Sequence, residues 1–219
     1  MGNDLGPDLA RAREAALELL VEASEGPGLD QRMSALVGFA VASAPSTLDR
    51  EGIARHASEA LDAGSSLEEL TEAMLLASAI GLHGLHEAPQ VLRAVVEGRS
   101  GSLPALSDDA QAYRDRLLDD PYWQRLNTRL PGFLDSTLRL SEPAFRSFVD
   151  YVAIPWQSGP LSPKEKELIY VSIDTMPTHR YLPGMRFHIE NALALGATRQ
   201  ELVDVLDISA AAGPSRGIE

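Results

Sequence analysis

Apolar and polar positions recur with helical spacing along most of the chain. Leu9, Ala12, Ala16, Leu19 and Leu20 step by three and four residues and predict an amphipathic helix over Asp8–Glu25. Leu168, Ile169, Val171, Ser172 and Ile173 predict a mostly apolar helix. Ser162-Pro163-Lys164-Glu165 opens it with a capping box and a proline at the first helical position. Asp30 takes the same cap place before Met33, Leu36, Val37 and Ala40. Ser66…Glu69 and Thr198…Glu201 predict two more capping boxes, opening helices that close near Gly81 and Gly213. Shorter helices are expected over Ser107–Asp119, Leu130–Leu140 and Glu142–Ile154, separated by Pro121, Pro131 and Pro155. No stretch sustains a period of two or offers a hairpin pair, so the expected class is all-α.

The pattern repeats. Leu29–Gly81 lies on Leu161–Gly213 without a gap. Leu36/Leu168, Pro45/Pro177, Gly52/Gly184, His56/His188, Ala60/Ala192, Gly64/Gly196 and Leu70/Leu202 are shared. Breaks, glycine stops and caps fall at the same places in both copies, which a chance match would not preserve. Three helices of this size bury little alone, so the copies are expected to pack as a pseudo-twofold pair. The expected division is 1–98 (an N-terminal helix and a first repeat with core 29–89), a small polar linker at 99–106, and 107–219 (connecting helices and a second repeat with core 161–213).

Composition narrows the chemistry. The 219 residues include no cysteine, which excludes disulfides, thiolate nucleophiles, thiol peroxidase chemistry and zinc–thiolate sites. The formal net charge is −13, and no long basic run offsets it, so nucleic acid is not an expected partner. No apolar run is long enough to span a bilayer, and Met1–Ala10 lacks the pattern of a secretory signal. The expectation is a cytoplasmic protein with no membrane partner.

The second copy carries a recognisable text: Pro155-Trp156, Gly159, Leu161, Lys164, Glu167-Leu168-Ile169, then Thr178-His179-Arg180-Tyr181-Leu182-Pro183-Gly184, His188-Ile189, Ala192-Leu193 and Gly196-Ala197-Thr198. It resembles the carboxymuconolactone decarboxylase family, which also contains the alkylhydroperoxidase D-like proteins, and within it a tandem-domain branch lacking the redox cysteines. The peroxidase branch carries Cys-x-x-Cys, a following histidine and a glutamate on the preceding helix. Those positions fall here on Tyr181, Gly184, His188 and Glu167, and in the first copy on Asp49, Gly52, His56 and Ala35. The resemblance implies tandem all-α units in a trimeric or hexameric homo-oligomer, and carries no peroxidase activity without the thiols. Glu219 follows the third helix closely, whereas the first copy runs on through His83, His86 and Pro89, so a shortened second pocket wall is expected.

His188 leads the candidate residues. Met185, His188, Ala192 and Leu195 share one helical face, so the imidazole points into apolar surroundings, as a proton carrier or as a hydrogen-bonded structural histidine. Glu167 is placed to orient it or exchange a proton with it, or else is a solvated neighbour of Lys164 and Lys166. His179, Tyr181 and Arg186 crowd the turn before His188 and suit an anion, or form a polar loop. Thr178 and Trp156 complete the substrate-binding candidates, Trp156 as pocket wall or core. His83 and His86 read as metal ligands or as surface caps; no metal site and no cofactor are assigned.

The leading expectation is a cofactor-independent lyase acting on a small carboxylated lactone or keto acid. His188 backed by Glu167 would deliver the proton, Tyr181 would donate to the oxyanion, and Arg186 and His179 would hold the carboxylate. A proton-transferring isomerase or cyclase, and a non-catalytic assembly or ligand-binding protein, are the alternatives.

Overall fold

The computed structural model describes residues 7–99, 101–157 and 159–214, with side chains from residue 11 onward. The readings made on residues 1–6, on the side chains of Asp8 and Leu9, and on the final residues 215–219 lie outside the described residues. Every regular element among the described residues is helical. In order they are α1 (Pro7–Leu19), α2 (Gln31–Ser43), α3 (Arg50–Asp62), α4 (Leu67–Ser78), a short 3-10 turn (Ala79–Leu82), α5 (His83–Glu97), α6 (Asp108–Leu117), α7 (Pro121–Arg129), α8 (Phe133–Leu140), α9 (Glu142–Gln157), α10 (Pro163–Thr175), α11 (Leu182–Ala194) and α12 (Arg199–Ala210).

The chain forms two compact units, residues 1–80 with 155–219 and residues 81–154. The first contains both repeat copies. Helices α2, α3 and α4 map onto α10, α11 and α12 at a constant offset of 132 residues (31 to 163, 50 to 182, 67 to 199), with equal lengths in each pair. The punctuation repeats too. Asp30 and Ser162 accept from the amides of Met33 and Glu165. Ser66 and Thr198 head full capping boxes, each worth about 1 kcal/mol. Leu48 and Arg180 both hold positive φ in the turn before the middle helix. Gly64 and Gly196 both hold φ near +90° after it, where a side chain would be strained. Even the ion pairs recur: Arg32–Glu69 in one copy, Lys164–Glu201 in the other.

The two copies share one core, in which Leu36, Val37 and Ala40 of α2 and Leu168, Ile169 and Val171 of α10 are all buried. Ser46 Oγ lies 3.0 Å from Thr178 Oγ1, so that a residue meets its own repeat partner. Sharing a core makes the compact boundary differ from the repeat boundary, and the segment 99–106 falls within the span of the second unit.

Three departures from the expected elements have a visible cause. Helix α1 ends at Leu19 rather than near Glu25, because the following segment bonds α12 instead: Arg199 donates to the Ser24 carbonyl (2.9 Å) and Leu29 N–H to Asp204 (2.9 Å). Pro121 opens a helix rather than separating two, with Asp120 accepting from Tyr122 N–H at 2.7 Å. Helix α9 runs through Pro155, whose missing N–H removes a single helical bond near the C-terminus.

In the second unit His86 is buried, edge-on to Phe133 (4.5 Å between centroids) and Phe148 (5.5 Å), and thus is not a surface cap. Thr137 Oγ1 donates to the Leu85 carbonyl at 3.1 Å, tying α8 to α5.

Candidate functional site

Helix α10 is buried from Lys166 to Thr175. Glu167, Tyr170 and Asp174 fall at steps of three and four along it, and so line one face. On α11, His188 and Asn191 present the matching pair. Glu167 Oε2 is 2.6 Å from His188 Nδ1, and its Oε1 accepts from Asn191 Nδ2 at 3.1 Å. Glu167 is only 2% exposed, so this bond lies in a low-dielectric interior. With the carboxylate ionised, Nδ1–H donates to it and Nε2 is left as the ring atom that exchanges protons. The Tyr170 ring stacks on the imidazole at 4.5 Å and 25°, which fixes the ring plane. Trp156 stacks on Tyr170 in turn (6.4 Å, 18°). Behind it Lys166 Nζ lies 5.5 Å from the Trp156 ring centroid and pairs with buried Glu72 at 3.0 Å. Glu72 also accepts from Leu161 N–H at 2.9 Å, anchoring the entry to α10.

Beyond the imidazole stands Asp174, 1% exposed. Its Oδ2 is 4.0 Å from His188 Nε2 and its Oδ1 3.8 Å from His179 Nε2. The turn after α10 brings His179 back: the amides of His179 and Arg180 both donate to the Met176 carbonyl, and Tyr181 N–H donates to the Asp174 carbonyl at 2.9 Å. Gly184 lies against the carboxylate, and a Cβ there would run into Oδ2. Burial pushes the Asp174 carboxyl up to about 7, with His188 pulling it down and Glu167 adding to the rise. Burial disfavours the His188 imidazolium, but Glu167 and then Asp174 outweigh it, so its pKa is raised. Burial lowers that of His179.

The structure therefore brings Glu167 and His188 into contact and sets His179 beyond them on the far oxygen of Asp174. Trp156 stacks on Tyr170, which in turn stacks on His188. Tyr181 is the N-cap residue of α11, its ring 6.0 Å from that of His179. Thr178 is bonded to Ser46, and Arg186 is exposed on α11. Sequence reasoning missed Asp174, Tyr170 and Asn191. The signal was present: Glu167, Tyr170 and Asp174 share a helical face, and the last is an acid closing an apolar run.

The first copy holds Ala35, Gly38 and Ala42 where α10 has Glu167, Tyr170 and Asp174. His56 accordingly lies over Gly38, where a Cβ would meet its ring at 2.8 Å. It bonds Glu59 of its own helix at 2.7 Å.

The site is thus a buried carboxylate–imidazole pair in a cysteine-free helical bundle. Residues 143–215 match the carboxymuconolactone decarboxylase family model. A crystal structure from Burkholderia xenovorans LB400, put forward as a gamma-carboxymuconolactone decarboxylase subunit, is similar with a TM-score of 0.72 and 29% identity, covering 93% of this chain and 90% of that one. No curated protein matches the chain at a significant level. Over residues 143–215 the sequence is thus similar to the carboxymuconolactone decarboxylase family, and the fold is similar to that of the Burkholderia structure. No helix among the described residues is long and apolar enough to cross a membrane.

Proposed function

We propose that the chain is a cofactor-independent lyase that decarboxylates a small carboxylated lactone or β-keto-like acid. The observation that carries this reading is the buried 2.6 Å bond between Glu167 and His188, which holds one imidazole nitrogen and leaves Nε2 as the nitrogen to carry a proton. The bond from the carboxylate carbon to the neighbouring carbon breaks, carbon dioxide leaves, and the electron pair remains as an enolate. His188, as imidazolium, gives its Nε2 proton to that carbon and later regains one from solvent. Tyr181 is assigned to hydrogen-bond the enolate oxygen. Because burial favours neutral His179 and Arg186 lies exposed on another side of α11, neither is assigned as a charged anchor for the carboxylate. The family match and the decarboxylase description of the similar structure support this chemistry.

Incubating the protein with a panel of small lactone and β-keto acids is expected to release carbon dioxide from at least one of them. No release across the panel, with the protein folded, overturns the reading.

The chain is further proposed to act as a homo-oligomer, trimeric or hexameric. The similar structure is described as a subunit, and α5 exposes Val91, Leu92 and Val95 along one side. Light scattering at micromolar concentration should give a multiple of the 23.6 kDa chain mass; a monomer refutes assembly.

A further inference from the structure

We infer that Asp174 is a positioning residue of the site, a second carboxyl group that shares a proton with His188 on the side opposite Glu167. This rests on the reading of His188 as a proton carrier. The geometry is that of an imidazole between two buried carboxyl groups, with Glu167 at Nδ1 (2.6 Å) and Asp174 beyond Nε2 (4.0 Å). The longer gap exceeds a hydrogen bond and is of a size that one hydroxyl oxygen bonded to both groups can bridge. A proton leaving Nε2 for substrate carbon is then replaced from the Asp174 carboxyl, which is recharged from solvent. The sum is one proton consumed for each carbon dioxide released.

Two features independent of charge support a dedicated role. The fold does not require an acid here, because Ala42 occupies the matching position on α2 and that helix forms with the same bounds. Space for the carboxylate is also kept open by Gly184, where any side chain would collide with it. Within the first unit the titratable groups facing Asp174 are Glu167 on its own helix, His188 on α11 and His179 in the intervening turn. Tyr181 stands behind His179.

Nuclear magnetic resonance of the imidazole signals reads this without a substrate. The full chain carries five histidines, and His188 is assigned by its loss in His188→Gln. In the unaltered protein the His188 signal is expected to follow two coupled steps. In Asp174→Asn one step disappears and the remaining midpoint moves to lower pH, because an anion that favoured the imidazolium is gone. Asp174→Glu restores two steps. Glu167→Gln lowers the midpoint in either case. An unmoved His188 titration in folded Asp174→Asn, beside a shifted one in Glu167→Gln, overturns the role of Asp174 and leaves the proposed site intact. No shift in Glu167→Gln overturns the site itself.

Discussion

Replacing His188 by Gln is expected to lower turnover on the order of a hundredfold or more, while His56→Gln leaves it unchanged. Gln at 188 keeps a side-chain amide that can donate to Glu167, so the buried carboxylate retains a partner and the fold is largely kept. What it loses is the ability to carry a proton at neutral pH. His56 has no comparable setting. It is half-buried, bonds Glu59 on its own helix and Arg55 beside it, and faces Gly38 where His188 has Tyr170. Turnover per folded molecule and melting temperature, measured on both variants with a substrate from the decarboxylation panel, separate chemistry from structure. Equal kinetic losses would mean that the reaction is assigned to the wrong copy or that the site is shared between the two. Equal drops in melting temperature with unchanged rates would make His188 a structural histidine.

Asp174→Asn should raise thermal stability, and by more at pH 8 than at pH 5. The folded carboxyl titrates at about 7 against an ordinary 3.8, because its charged form is buried. Between those values the unfolded chain has released this proton and the folded chain holds it. Folding therefore takes up a proton, and stability falls as pH rises across the window. The shift corresponds to on the order of 4 kcal/mol once pH exceeds the folded value. Asn cannot ionise and escapes this cost. His188 acts in the same direction for a different reason. Its folded pKa is raised, so its contribution is full below its ordinary value and fades as pH climbs through the folded one. Asp174 supplies part of that rise, so its removal gives back some of the gain. Melting curves of the two proteins from pH 5 to pH 8 should diverge, with the variant above; parallel curves would mean that Asp174 is ionised throughout.

Local signals carried the helices well wherever a cap and an apolar stripe coincided. Asp30, Ser66, Ser162 and Thr198 all cap as their spacing suggests, and the repeat offset predicted matching elements. Proline was the weaker guide. Pro121 begins a helix and Pro155 sits inside one, because a missing N–H costs little in the first turn and only one bond near the end. The end of α1 was set by bonds to α12, far away in sequence. At the site, Glu167 and His188 were legible from the resemblance, but their contact with Asn191, Tyr170 and Asp174 depends on how α10 meets α11. A run of apolar residues conceals an acid that only tertiary packing buries. Arg186 looked like part of the cluster by its place in the chain, yet it sits two residues from His188 and so on another side of the helix.

On the proposed reading, the difference between α2 and α10 sets a stoichiometry. The scaffold is written twice, with equal helices, equal caps and paired turns, but Ala35, Gly38 and Ala42 strip one face of the groups that Glu167, Tyr170 and Asp174 supply on the other. The room left by those small residues is not open either, since the His56 ring lies down on Gly38. On the proposed reading, the two copies together offer one equivalent of acid–base site among the described residues, and an assembly of such chains would carry half as many of these sites as repeats.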